Sequence, residues 1–288
     1  MISLHIRHAT TYRYRHPVSL GPHRLMLRPR ETREVRLPIY TLTIRPEPDL
    51  VWASDVAGNA VATATFSEPS DHLVIESLAR VELSAAAYPV FRIAADAISF
   101  PFRYQSDDWA DLGSLTVRRY LDQGELRAWA QSFVSSNPTD TLSLLKDLNA
   151  GVAMSAVYSA RENEGTQSPS ETLALKSGSC RDLATLFVEA ARSLGFGARI
   201  VSGYLHDPTR TLLGSADSGS THAWAEIYLS GAGWITFDPT NRAMGGANLI
   251  PVAVAQDVRQ IVPITGSFVG AASAFQSMDV AVSVTECA

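Results

Sequence analysis

From Met1 to about Arg92 apolar and polar residues alternate: Ile2, Leu4, Ile6; Val35, Leu37, Ile39; Leu42, Ile44; Val61 through Phe66; Val81, Leu83. A period of two is what half-buried strands produce. Prolines at 17, 22, 29, 38, 46, 48 and 69 punctuate the runs, and Asp55-Val56-Ala57-Gly58-Asn59 has the composition of a hairpin turn. Short antiparallel strands with a turn every ten or so residues predict a β-sandwich over residues 1–95.

The pattern then changes. Between Ile93 and Leu115 stand Pro101, Gly113 and the polar run Gln105-Ser106-Asp107-Asp108, which reads as a linker over 96–115. Two helical stretches follow, Glu125 to Ser135 and Asp140 to Met154, the second capped by Thr139 or Asp140, with Leu142, Leu145 and Leu148 at helical spacing as core positions. A polar loop, Ser159 to Ser170, leads through Thr172 to Leu175 into a third helix, which carries Leu183, Leu186, Phe187, Ala190 and Leu194 on one face and stops at Gly195. After Asn241 the pattern returns to strands at Leu249–Ala255, Gln260–Ile264 and Val280–Thr285, expected to close the sheet of a second domain over 116–288. The fold class expected is α+β.

Composition narrows the class. The 288 residues are 46% hydrophobic and 18% charged, with mean hydropathy near zero and no apolar run long enough to span a membrane. No secretory signal pattern opens the chain, so the expectation is a cytoplasmic protein without a membrane partner. The net charge is −5, yet the first 50 residues hold nine Arg against four acids. Those arginines fall at strand spacings among apolar residues, which reads as a solvated face and not as a nucleic-acid site. The scattered His5, His8, His16, His23, His72 and His206 lack metal-ligand spacing. Neither Gly245-Gly246 nor the Gly- and Ser-rich stretch 214–219 has the Lys or helix start of a phosphate loop. Neither metal nor cofactor is expected.

Two cysteines cannot form a disulfide scaffold, and Cys287 lies at the end of the chain, which leaves Cys180. It opens the third helix, with Ser179 and Asp182 at capping-box spacing. There the helix dipole and unpaired amides favour a thiolate, while the Asp182 carboxylate opposes it. A small buried cysteine behind a glycine turn fits the same residues. The strand Thr221 to Leu229 carries His222, Trp224, Glu226 and Tyr228 on one face, and the next strand, Trp234 to Pro239, carries Asp238. A loop of three or five residues makes opposing positions sum to an even number, and five puts Trp224 opposite Asp238 with His222 diagonal to it, whereas a four-residue loop puts His222 and Asp238 on opposite faces. If they meet, Cys180 is the nucleophile, His222 the proton carrier and Asp238 its orienting group, with the Cys180 N–H as one oxyanion donor. Tyr158 and Trp224 are candidates to line the substrate site, or ordinary packing residues.

Three ordered blocks carry a resemblance: Gly178-Ser179-Cys180-Arg181-Asp182; Leu194-Gly195-Phe196-Gly197-Ala198-Arg199-Ile200-Val201-Ser202-Gly203-Tyr204; and His222-Ala223-Trp224-Ala225-Glu226 with Trp234 to Asn241. On these the chain resembles the transglutaminase-like superfamily, relatives of papain-type thiol enzymes. The first half is similar to the β-rich domain preceding this core in many bacterial members, including Tyr12-Arg13-Tyr14 with Pro17-Val18 and Leu27-Arg28-Pro29-Arg30. The resemblance implies a papain-like core with Cys180, His222 and Asp238 as catalytic triad. Many relatives have Val before the cysteine and Gln after it, where this chain has Ser179 and Arg181, and a later Gly-Arg-Asp-Tyr becomes Ala255-Gln256-Asp257-Val258. The implied function is that of a cysteine protease: hydrolysis of a peptide or isopeptide bond in a peptide or protein substrate. Transglutamination, and a non-catalytic binding module, are the alternatives. Animal members use calcium; no acidic loop of calcium-ligand spacing occurs here, so calcium independence is expected.

Overall fold

The computed structural model describes residues 1–121, 124–161, 165–209, 211–213, 220–271 and 273–287. The Gly- and Ser-rich stretch 214–219 lies outside them. Six strands come first: β1 (Ile2–Leu20), β2 (His23–Leu25), β3 (Val35–Arg45), β4 (Asp49–Ser54), β5 (Ala60–Thr65) and β6 (Ser70–Leu83). The long β1 alternates buried and exposed residues along most of its length, so it lies centrally in an antiparallel sheet against β6, which in turn pairs with β3. A second antiparallel sheet runs β2–β5–β4. Tyr14, Val18, Leu20, Leu73 and Ile75 of the first sheet meet Leu25, Ala62 and Ala64 of the second in a shared core, the sandwich that the alternation predicts.

The stretch 96–115 is not a free connection. β7 (Ser99–Phe100) pairs with β8 (Thr139–Asp140), and α1 (Ser106–Leu112) follows with Leu112 buried. The Tyr104 hydroxyl accepts from Gly197 N at 3.0 Å and donates to the Tyr228 carbonyl at 2.7 Å. Asp108 accepts from the Tyr228 and Ser230 hydroxyls at 2.9 and 2.6 Å. Polar composition marks a segment as solvated, but these side chains face donors and acceptors on the core sheet.

Helices α2 (Glu125–Gln131) and α3 (Thr141–Ser155) occupy the two predicted stretches; α2 is shorter than read, and Asp140 is the α3 cap, accepting from Ser143 N at 2.7 Å. β9 (Val157–Tyr158) pairs in parallel with β10 (Ser177–Gly178) across α4 (Pro169–Leu175), and β10 runs straight into α5 (Cys180–Ser193). The apolar face of α5, with Leu183, Phe187 and Ala190, packs with Ala198 and Ile200 of β11 (Ala198–Leu205), Ala223 and Ala225 of β12 (Ser220–Leu229) and Phe237 of β13 (Gly233–Asp238). Burying each large side chain there contributes about 2 kcal/mol. β14 (Ala243–Met244) and β15 (Leu249–Ala255) complete an antiparallel sheet of order β14–β13–β12–β11–β15.

Of the strands expected to close the second domain, only Leu249–Ala255 does so. β16 (Ile264–Thr265) joins β2, β17 (Phe268–Val269) joins the end of β1, and β18 (Phe275–Glu286) runs antiparallel to β1 from Leu4↔Glu286 to Tyr14↔Phe275. The C-terminus thus returns to the N-terminal unit and covers the second edge of β1. One hydrophobic cluster spans both units, joining Leu4, Ile6, Val35, Val81 and Leu83 to Leu183, Phe187 and Phe237.

Candidate active site

Three elements converge at the N-terminus of α5. Ser179 precedes the helix in extended conformation, and Asp182 Oδ2 accepts from both Ser179 N and Ser179 Oγ at 2.8 Å. This holds Cys180 as the first helical residue, where its N–H has no carbonyl four residues back to bond. Asp182 is fully buried, and its two oxygens also accept from Arg161 Nη2 at 2.8 and 2.9 Å, while Oδ1 accepts from Gln167 N at 2.7 Å. Its charge is therefore balanced by Arg161 and does not oppose a thiolate, as the spacing alone had suggested.

β12 and β13 supply the other two groups. Their turn is the three-residue Ser230-Gly231-Ala232, with Leu229↔Gly233 and Ala225↔Phe237 in register. That odd loop extends the register to Trp224 beside Asp238, and His222 Nε2 meets Asp238 Oδ2 at 2.9 Å, both side chains buried. Asp238 is itself held by Asn241 Nδ2 at 2.8 Å on Oδ2 and by the N–H groups of Thr240 and Asn241 at 3.0 and 3.3 Å on Oδ1. With Nε2–H given to the carboxylate, the other ring nitrogen, Nδ1, is buried without a well-aligned hydrogen bond of its own and is the one left for the thiol.

Charge follows this geometry. Burial pushes the Cys180 thiol up, but the neighbouring His222 imidazole and its charge, the backbone at Ala223 and the Arg181 guanidinium pull it down, and the net direction is below an ordinary thiol. Burial disfavours the imidazolium, yet the Asp238 carboxylate and the Cys180 thiolate raise His222 to about 10. Asp238 is held below the usual carboxylate range: burial raises it, and His222 and Asn241 more than offset that. The three directions are those that a thiolate–imidazolium–carboxylate arrangement would require, and Cys180 is the part-exposed residue of the three.

Residues 91–239 match the Transglutaminase-like superfamily, and residues 4–82 match the Bacterial transglutaminase-like N-terminal region. The chain belongs to the transglutaminase-like superfamily. An uncharacterised protein of Mycobacterium tuberculosis is 27% identical over 279 residues, 91% of this chain and 86% of that protein. One of Mycobacterium leprae is 34% identical over 111 residues, 38% of each. Among solved structures, one described as a candidate cysteine protease from Cytophaga hutchinsonii superposes with a TM-score of 0.74 at 19% identity, covering 99% of this chain and 90% of that one.

In this transglutaminase-like site the residues singled out from the sequence fall in three places. Cys180, His222 and Asp238 come together. Tyr158 pairs with Gly178, two residues before Cys180, and is half-buried, its hydroxyl pushed up by burial and by the charge of Cys180. Trp224 is 1% exposed and stacks on His222, ring centroids 6.1 Å apart and planes 27° apart, which is the packing arrangement and not an open wall. Alternation put it on the histidine's face, but that face is covered, so the indole backs the imidazole. Arg161 and Asn241 were missed. Asn241 had a signal, standing three residues after Asp238 in Asp-Pro-Thr-Asn, where an amide can fold back on the carboxylate; Arg161 had none. Among the described residues no cluster of three His, Cys, Asp or Glu side chains could hold a metal ion.

Proposed function

We propose that this protein is a thiol-dependent amidohydrolase that cleaves a peptide or isopeptide bond through a Cys180 thioester. The observation that carries this reading is the buried His222–Asp238 hydrogen bond set against a part-exposed thiol whose pKa the imidazole lowers. The Cys180 thiolate attacks the acyl carbon, and the tetrahedral oxyanion is met by the Cys180 N–H at the start of α5. The imidazolium gives its Nδ1 proton to the departing amine, which leaves a thioester and a neutral imidazole. Water then attacks the thioester while Nδ1 takes its proton. Collapse of that intermediate releases the carboxylic acid and restores the thiolate–imidazolium pair. Throughout, Asp238 holds Nε2–H and balances the ring's charge. Tyr158, paired with Gly178 just before the cysteine, is the residue proposed to line the acyl substrate.

The test is the rate of iodoacetamide alkylation at Cys180 and Cys287 between about pH 5 and 9, followed by peptide mass spectrometry, in the wild type and in His222→Ala. Cys287, part-exposed and outside the proposed triad, is the internal reference. Cys180 is expected to react much faster near pH 6, and His222→Ala to abolish the excess. Equal rates in the folded wild type would leave the site a binding module. Products from a glutamine peptide with a labelled primary amine then assign the acceptor. Free acid is expected, and amine incorporation above hydrolysis would replace hydrolysis with acyl transfer.

A further inference from the structure

The hairpin between β4 and β5 reaches out of the N-terminal unit and ends on the core sheet. β15 is the last strand of that sheet, and an edge strand presents unpaired N–H and C=O groups. At Val254 both are taken by one side chain: Asn59 Nδ2 donates to the Val254 carbonyl at 2.8 Å, and Asn59 Oδ1 accepts from Val254 N at 2.8 Å. A carboxamide carries the same donor and acceptor as a peptide group, so Asn59 stands in for the next strand at this position. It is fully buried and fixed in turn by Arg30 Nη1 at 2.6 Å and by Asp55 Oδ2 at 2.9 Å.

The position matters because of what lies in register with it. Val254 pairs with Val201 and Val201 with Trp224, so the three form one row across β15, β11 and β12, all buried and all in one small cluster, against which Ala57 of the same hairpin packs. The row ends at the indole that stacks on His222. Gly203, opposite His222, leaves no room for a side chain between the Ile250 carbonyl and the Trp224 ring, so the indole is confined from that side. Elsewhere it borders a cavity of about 310 Å³ lined by Thr32, Glu34 and Val35 from one unit and Glu226 and Trp234 from the other. On that side the indole meets a cavity and not a packed core, so its row is among the contacts that hold it in place.

We infer that the Asp55–Asn59 hairpin is a positioning element for the active site: Asn59 locks the edge of the Val254–Val201–Trp224 row and thereby holds Trp224 against His222. The inference rests on the triad reading of Cys180, His222 and Asp238. It gives the N-terminal β unit a part in the chemistry of the core, with Asn59 a positioning residue that touches no substrate.

The test is the pH profile of Cys180 alkylation by iodoacetamide, with Cys287 as reference, in the full chain. Asn59→Ala is expected to lower the Cys180 excess near pH 6 by about tenfold and move the acid midpoint upward, toward that of an ordinary thiol. Arg30→Met, which loosens the same hairpin without removing Asn59, is expected to move the midpoint in the same direction by less, and it carries the test if Asn59→Ala does not fold. Ile75→Val in the sandwich core provides a destabilised protein with an intact hairpin, and its profile is expected to match the wild type. A wild-type profile in the folded Asn59 or Arg30 variants, or an equal shift in Ile75→Val, overturns the inference alone. No Cys180 excess in the wild type itself overturns the triad reading and the inference with it.

Discussion

His222 is nearly inaccessible to water, and on the proposed reading the Asp238 carboxylate and the Cys180 thiolate hold its charge by raising its pKa. That arrangement fixes the sign of a pH profile. The nucleophile is present above the lowered pKa of Cys180, so activity rises through a limb on the acid side of an ordinary thiol. The proton for the leaving amine is lost as His222 deprotonates, so activity falls again near about 10. Asp238→Asn keeps the shape of the side chain and removes the charge that raises the imidazole. Its alkaline limb is expected to move down, its acid limb to move up, and turnover to fall roughly 10²- to 10⁴-fold. Alkylation of Cys180 across the pH range reports the acid limb even before a substrate is in hand. A profile identical to that of the wild type would remove Asp238 from the site. The residue types of this pair were legible in the sequence, but the loop length that decides whether they meet stays open there between odd and four, because alternation along two strands does not count the turn residues, and the three-residue turn decides it.

The turn from β10 into α5 is an element built around one carboxylate. Asp182 has no exposed surface and accepts from Ser179, Arg161 and Gln167, so it ties the cysteine turn to the polar stretch that follows Tyr158. Gly178 is needed beside it, since a Cβ there would come within 2.9 Å of the Asp182 Cβ. Asp182→Ala would leave the Arg161 guanidinium and the Ser179 N–H without their partner. A loss of about 3 kcal/mol is expected, read as a lower urea midpoint at unchanged slope. Ser179→Ala removes one hydroxyl from the same turn and is expected to lose about 1 kcal/mol. Similar losses in the two variants would mean that the Arg161–Asp182 pair is not the stabilising contact. The Ser-x-x-Asp spacing and the helix behind it could be read from the chain. The sign of the Asp182 effect on Cys180 could not, since the neutralising arginine lies 21 residues upstream beyond a polar stretch without periodicity. The two readings of Trp224 stay open in the sequence for a related reason: a period of two says which face a residue takes, not that a hairpin some 165 residues earlier in the chain packs against the cluster it belongs to.

At the scale of the molecule the two units share one interior, and the chain's ends close it. Strand character was visible in Val280, Val282 and Val284, but the choice of partner sheet was not, because β18 is recruited by the free edge of β1 far away in sequence. The N-terminal half of β1 then faces the core across a polar seam, where His8 Nδ1 lies 3.1 Å from the Tyr204 hydroxyl of β11 and Thr10 Oγ1 lies 3.4 Å from His8 Nε2. Burial holds His8 neutral, with its pKa lowered to about 4. In the unfolded chain the same ring takes up a proton at its ordinary value of 6.5, so the unfolded state gains protons first as pH falls. Stability is therefore fully present above about 6.5, declines toward about 4, and then levels, a contribution of about 3 kcal/mol from this residue. Tyr204 does not titrate in that range, since burial raises it. His8→Gln removes the ionisable group while retaining hydrogen-bonding atoms. Its unfolding free energy, followed by urea titration between pH 6.5 and 4, is expected to fall less steeply than that of the wild type by that amount. Because the seam joins β1 to β11, part of the wild-type loss should appear as undocking of the two units, seen as amide exchange at β11 rising before exchange within the sandwich. Parallel curves for the two proteins would mean that His8 is protonated in the folded state, and that the seam does not respond to acid through this residue.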